Sequence, residues 1–266
     1  KSRVKIPCIV FILLLITTSL FAAKKNITAS LPGIINTDGD ETSCTLSPDR
    51  KVIIFARKPK GAQTSDLYSA EFKRGKWSEP APITELNSDA DDLSPFLSFD
   101  GKKIYFSSNR DGSLRSGNAA MPSYDIYFSE KKNGKWSKPD QLFGLVNSTG
   151  DEMNPSLTKN GASIFFTRIS QGNVSRSTIV QVTKKSDFWE DVQTAKITGD
   201  NTISISSAAK SLYRNIYILS GYKNGSTSRN IFFSSPGENG GEIFEDKSLN
   251  SEGDEISFCE LSSSEI

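Results

Sequence analysis

Acids and arginines are the side chains in this sequence best suited to chemistry, and the acids come in pairs at intervals. Asp40-Glu41, Asp91-Asp92, Asp151-Glu152 and Asp254-Glu255 are such pairs, and Asp200 stands alone between the last two. Carboxylates brought together around one opening repel one another, and a cation or a basic partner segment relieves that repulsion. Calcium, which takes oxygen ligands, is the metal that such a ring would suit. The alternative is structural: each acid caps a turn through backbone N–H groups. "NTDGDE" is too short to be a helix–loop–helix calcium loop, so no metal or other cofactor is assigned.

The chain of 266 residues contains no histidine. That removes the commonest general base, the Ser-His and Cys-His nucleophile pairs and most catalytic zinc designs. Arg57, Arg110, Arg168 and Tyr68 are the parts from which a sialidase-like hydrolase would be built, but nothing in their spacing selects them. Trp77, Trp136 and Trp189 would stack on sugar rings if exposed. No Gly-x-Ser-x-Gly elbow is present. "SFDGKKIYFSSNRDG" (98–112) has glycines and a Gly-Lys pair but not the frame of a phosphate loop. A formal net charge of +1 provides no electrostatic case for nucleic acid.

These residues are carried by a repeat of about fifty positions. "INTDGDETSCTLSPDRKVIIFA", "LNSDADDLSPFLSFDGKKIYFSS" and "VNSTGDEMNPSLTKNGASIFFTR" align directly, and "NSEGDEISFCELSSSEI" begins another copy. Asn36, Asn87, Asn147 and Asn250 are 51, 60 and 103 residues apart, which places a degraded copy near 198, at "ITGDNTISISSAAKSLY". The second halves repeat too: Trp77, Trp136, Trp189 and Phe244 are 59, 53 and 55 residues apart. One large aromatic per unit suits the gap between stacked sheets.

Each unit reads as four short alternating strands with tight turns such as Asp100-Gly101 and no amphipathic helix. That predicts an all-β chain, a β-propeller of four-stranded blades. Four repeats and the start of a fifth are visible, at about 36, 87, 147, 198 and 250, within a propeller region of 24–266. Residues 28–35 resemble the segment that follows the second copy, so they are expected to be an outer strand of a blade begun by the other end of the chain. The longest insertion, 107–123, carries Arg110, Asp111 and Arg115, and is read either as a partner-binding loop or as a solvated insertion.

Residues 1–23 differ in kind. "KSRVK" supplies cations, "IPCIVFILLLITTSLF" is apolar and "AA" precedes "KKN". This is the three-part pattern of a signal peptide, too short in its apolar run for a membrane span, so no transmembrane segment is expected after cleavage. Export would leave Cys44 and Cys259, which would face opposite ways in regular strands, so their pairing stays open.

"SPFLSFDGKKIYFSSNRDG" followed by "YDIYFSEKKNGKWSKP" closely resembles the WD-like repeat of TolB and other exported bacterial proteins. "INTDGDE" and "VNSTGDE" look like the blade junction of a variant found in OmpA-associated envelope proteins. The resemblance covers residues 30–266 and implies a propeller that binds a partner. The expectation is a monomeric, non-enzymatic protein-binding scaffold of the periplasm or outer membrane, whose partner is an envelope protein or peptide. The candidate rim residues are Asp40, Glu41, Asp91, Asp92, Asp151, Glu152, Asp254 and Glu255, with Arg110, Asp111 and Arg115 on the long loop. The alternative is a glycan-binding or glycan-hydrolysing propeller.

Overall fold

The computed structural model describes residues 9–12, 27–30, 34–114, 122–170, 177–194, 203–211, 216–235, 243–245 and 250. Every regular element among them is a strand. Near the N-terminus β1 (Ile9–Ile12) pairs with β2 (Ile27–Ser30) in a sheet of its own. Residues 27–30 therefore find their strand partner locally, in the β-branched apolar run, rather than as an outer strand of a blade.

Blade 1 consists of β3 (Asp40–Leu46), β4 (Val52–Lys58) and β5 (Asp66–Lys73), with an outer edge split into β6 (Lys76–Trp77) and β7 (Ala81–Pro82). Blade 2 repeats this with β8 (Asp92–Leu97), β9 (Lys103–Ser108) and β10 (Asp125–Lys132), and with β11 (Lys135–Trp136) and β12 (Asp140–Gln141) outside. Blade 3 has β13 (Asp151–Leu157), β14 (Ser163–Ile169), β15 (Ser177–Lys185) and an unbroken outer strand, β16 (Phe188–Thr194). Blade 4 has β17 (Ile203–Lys210), β18 (Tyr217–Lys223), β19 (Arg229–Ser234) and β20 (Ile243–Glu245). All neighbouring strands are antiparallel. The first strands β3, β8, β13 and β17 lie beside one another in succession, so the blades stand in a ring with their first strands innermost.

The core lies between blades. Ile54, Ala56 and Leu67 of blade 1 meet Ile104, Phe106 and Tyr127 of blade 2. Ile126 and Leu142 meet Ile164, Phe166 and Trp189 at the next boundary, and Phe165 and Ile179 meet Leu219 and Phe232 at the third. Period-2 alternation makes this arrangement: successive residues of a strand point to opposite faces, and each face is buried against a different neighbour. Phe55 accordingly turns away from Ile54 and Ala56 and packs with Ile35 and Ile53.

The turn after the first strand is built by side-chain chemistry in blades 1 to 3. In "SFDG", Ser98 Oγ donates to Asp100 at 2.6 Å, and the Lys102 N–H donates to the same carboxylate at 3.0 Å. Ser47 and Asp49, and Thr158 and Asn160, repeat the bond at 2.6 and 2.8 Å. Arg50, Gly101 and Gly161 adopt φ of 58°, 67° and 66° at the next position. The Gly-Lys pair of 98–112 therefore belongs to a hairpin turn, not to a phosphate loop.

Each innermost strand also carries a β-bulge, between Thr42 and Cys44, Leu93 and Phe96, Met153 and Ser156, and Ile205 and Ser207. In the first three, Ser43, Ser94 and Asn154 take φ of 45°, 54° and 56°. A bulge shifts the alternation by one, so the facing of Cys44 cannot be counted from Glu41. Cys44 is buried and disulfide-bonded; Cys259 lies outside the described residues.

Candidate functional site

The blade junctions bring the acids to one end of the ring, and the two members of each pair have different surroundings. Glu41, Asp92 and Glu152 are 3%, 0% and 0% exposed. Each accepts hydrogen bonds from the residue four positions earlier. The Thr37, Ser88 and Ser148 N–H groups donate at 3.0, 2.7 and 2.9 Å, and the three hydroxyls donate as well. Each acid also holds an arginine of its own blade, near the end of the second strand for Arg57 and Arg168 and two residues past it, at the root of the long loop, for Arg110. Arg57 reaches Glu41 at 2.8 Å, Arg168 reaches Glu152 at 2.7 Å, and Arg110 reaches Asp92.

Each arginine also donates from Nη2 to a carbonyl, of Ile35, Leu86 or Val146, in every case at 2.7 Å; Arg57 and Arg168 hold their acids through Nε, whereas Arg110 uses Nη2 for both partners and turns Nε to Ser108. The guanidinium planes lie over Phe55 and Tyr68, Phe106 and Tyr127, and Phe166. Acid, arginine and aromatic ring thus form one buried unit per blade. Burial pushes the Glu152 carboxyl above its ordinary value, although Ser148 and Arg168 pull the other way. Turn capping therefore describes these three acids, and a partner could reach them only by opening the blade. Asp254 and Glu255, the fourth pair, lie outside the described residues, as does Asp200.

The first member of each pair is nearer to solvent. Asp40 is exposed, and Asp91 and Asp151 are half-buried. Asp91 accepts from the Ser65 N–H and from the Tyr124 hydroxyl, both at 2.8 Å, and so bridges blades 1 and 2. Asp151 accepts from the Tyr124 N–H at 3.0 Å. Beside them, Asp66 has its carboxyl raised above the ordinary value, by desolvation first and then by Asp92 and Asp91. Asp125, fully buried, is also raised, mainly by desolvation. It ties the long loop to the blade by accepting from the Leu114 N–H at 2.9 Å and from Ser123 Oγ at 3.2 Å.

On the long loop, Arg110 is committed to Asp92, Asp111 is exposed but engaged, and Arg115 lies outside the described residues. Among the described residues no group of three or more Cys, Asp or Glu is placed to hold a metal ion. The glycan reading loses its parts: Arg57, Arg110 and Arg168 are in three different blades, each on its own acid, and Tyr68 lies beneath Arg57. Trp189 is buried, and Trp77 and Trp136 pack against the cores. Sequence reasoning overlooked the arginine–acid units and Tyr124. Three arginines at or just past the ends of second strands were the available signal.

No protein-family model and no curated sequence matches the chain. Solved structures do. A TolB structure from Agrobacterium tumefaciens superposes with a TM-score of 0.50 at 16% identity, over 76% of this chain and 63% of that one. The tricorn protease superposes with a TM-score of 0.50 at 12% identity, over 78% of this chain and 22% of the protease. The chain has a TolB-type β-propeller fold. It spans less than two thirds of the length of the Agrobacterium TolB. The TolB likeness, at this identity, concerns the architecture of the blades. No helix among the described residues is long and apolar enough to cross a membrane.

Proposed function

We propose that this TolB-type propeller is a non-enzymatic, protein-binding scaffold of an exported bacterial envelope protein, in the periplasm or at the outer membrane. It meets its partner at the junction end of the ring, where Asp91 and Asp151 flank the root of the long loop, with Asp66 beside Asp91 and Asp40 exposed at the start of β3. The observation that carries the reading is the gathering of Asp66, Asp91 and Asp151 at the junctions of blades 1 to 3, where Asp91 and Asp151 are only half-buried and are held by Ser65 and Tyr124 rather than by an arginine. Negative potential that the fold itself leaves unneutralised favours a basic segment of a protein or peptide. The mechanism is rigid display: the buried acid–arginine units fix the junction turns, and no bond is made or broken. The reading needs no cofactor and treats the chain as a monomer.

The test is capture from envelope extracts by the purified protein, alongside Asp40→Lys/Asp66→Lys. A defined protein partner is expected whose binding falls as salt rises and is weakened about tenfold or more by the double substitution. Capture insensitive to both, or release of sugar from a glycan panel without any protein partner, would sink the reading.

A further inference from the structure

The outer edges of the blades differ in a way that the repeat does not require. In blades 1 and 2 the edge is broken into dipeptides by Pro80 and Pro139, each three residues after its tryptophan. Proline cannot donate to a strand ladder, and it blunts an edge. In blade 3 the residue three after Trp189 is Val192, and β16 runs as a single strand of seven residues, with a bulge at Glu190 and with no strand paired to its outer side among the described residues. Phe188 is 65% exposed and Val192 40% exposed on this strand.

The neighbouring turn adds to the surface. The Leu145 N–H donates to the Trp189 carbonyl at 2.9 Å, which seats Phe143 and Leu145, 75% and 54% exposed, against the start of β16. Blade 1 has the exposed polar residues Thr84 and Glu85 in the matching turn. The outer strand also carries Glu190 and Asp191 and no cation.

We infer that β16 is a docking edge for an extended peptide segment of a partner protein, one that alternates apolar and basic residues and adds to blade 3 as a fifth strand. Main-chain bonds to the edge beyond Trp189, whose carbonyl the Leu145 N–H already fills, provide the binding, Phe188, Val192, Phe143 and Leu145 take the apolar side chains, and Glu190 and Asp191 select the basic ones. A second copy of this chain fits poorly. Two β16 strands paired antiparallel about their middle would set Asp191 opposite Asp191, and like charges directly opposite destabilise a sheet. This surface lies on the outer edge, apart from the junction acids, and is independent of the function proposed for them.

The probes are a synthetic peptide of alternating Lys and Val, its Glu-for-Lys counterpart, and the Lys–Val peptide N-methylated at alternate residues. They are added to the full chain and followed by calorimetry and amide hydrogen exchange. The Lys–Val peptide is expected to bind and to slow exchange in β16, and the other two to bind at least about tenfold more weakly. Glu190→Lys/Asp191→Lys is expected to reverse the charge preference without loss of Tm. Val192→Pro, which installs the residue of blades 1 and 2, is expected to abolish binding. Equal binding of the N-methylated peptide, protection elsewhere than β16, or no binding at all would overturn the inference. So would concentration-dependent dimers of the chain alone with β16 protected.

Discussion

Replacing Arg110 by methionine leaves Asp92, fully buried, with its bonds from Ser88 but no countercharge. Removing one partner of a buried pair costs about 3–5 kcal/mol, so Arg110→Met is expected to lower stability by that amount in urea denaturation. Arg110→Met/Asp92→Asn should regain part of it, because a neutral amide is less costly to bury. An equal loss in both would show that the arginine acts by its packing on Phe106 and Tyr127 alone. Asp125 is a second test at this scale. Its carboxyl is raised in the folded state, so the native protein holds that proton to higher pH than the unfolded chain does. The sign follows: its contribution falls as pH rises from the ordinary carboxylate value toward neutrality. Asp125→Asn should remove that decline, and thermal melts of both proteins across the acidic range would show it.

Strands of different blades are joined by asparagines. Asn87 accepts from the Leu67 N–H at 2.8 Å and donates to its carbonyl at 3.1 Å, which copies a ladder pair with a side chain. Asn147 does the same to Ile126, at 2.7 and 3.1 Å, and Asn250 to Ile231, at 2.7 and 3.1 Å. Each asparagine opens one repeat and holds the third strand of the repeat before it. Asn147→Ala leaves the Ile126 N–H unsatisfied, at about 1–3 kcal/mol, while its carbonyl keeps the Leu142 N–H, and the local signature is faster exchange of the Ile126 amide. The recurrence of these asparagines was legible in the sequence. Their task was not, because the partner is a backbone some twenty residues away with no side-chain signal. Gly144 is the same kind of case: at φ 97° an added Cβ would lie 2.5 Å from the Trp189 carbonyl oxygen. Gly144→Ala is expected to cost about 1–3 kcal/mol, read as a lower urea midpoint.

At the scale of the ring, stability belongs to boundaries rather than to blades. Phe106 and Phe166 are fully buried, the first between blades 1 and 2 and the second between blades 2 and 3. Truncating either to alanine should cost about 3–5 kcal/mol. Hydrogen exchange should then quicken on both sides of the boundary: for Phe166→Ala, in β9 and β10 as well as in β14 and β15. Loss of protection confined to one blade would contradict a core shared between neighbours.

Sequence alone was enough for the period of the repeat, the four-strand unit and the Asp100-Gly101 turn, because these rest on short-range alternation and turn chemistry that repeat about every fifty residues; the number of blades was left open by it. It could not separate Glu41, Asp92 and Glu152 from Asp40, Asp91 and Asp151: both members of each pair are acids at the same turn. Only the tertiary structure brings an arginine from the far end of the second strand or just past it, and an aromatic ring from the sheet, onto the second acid, and leaves the first nearer to solvent. The free edge of β16 is of the same kind. Val192 in place of proline was visible in the sequence, but that the strand has an open side depends on what the rest of the ring covers.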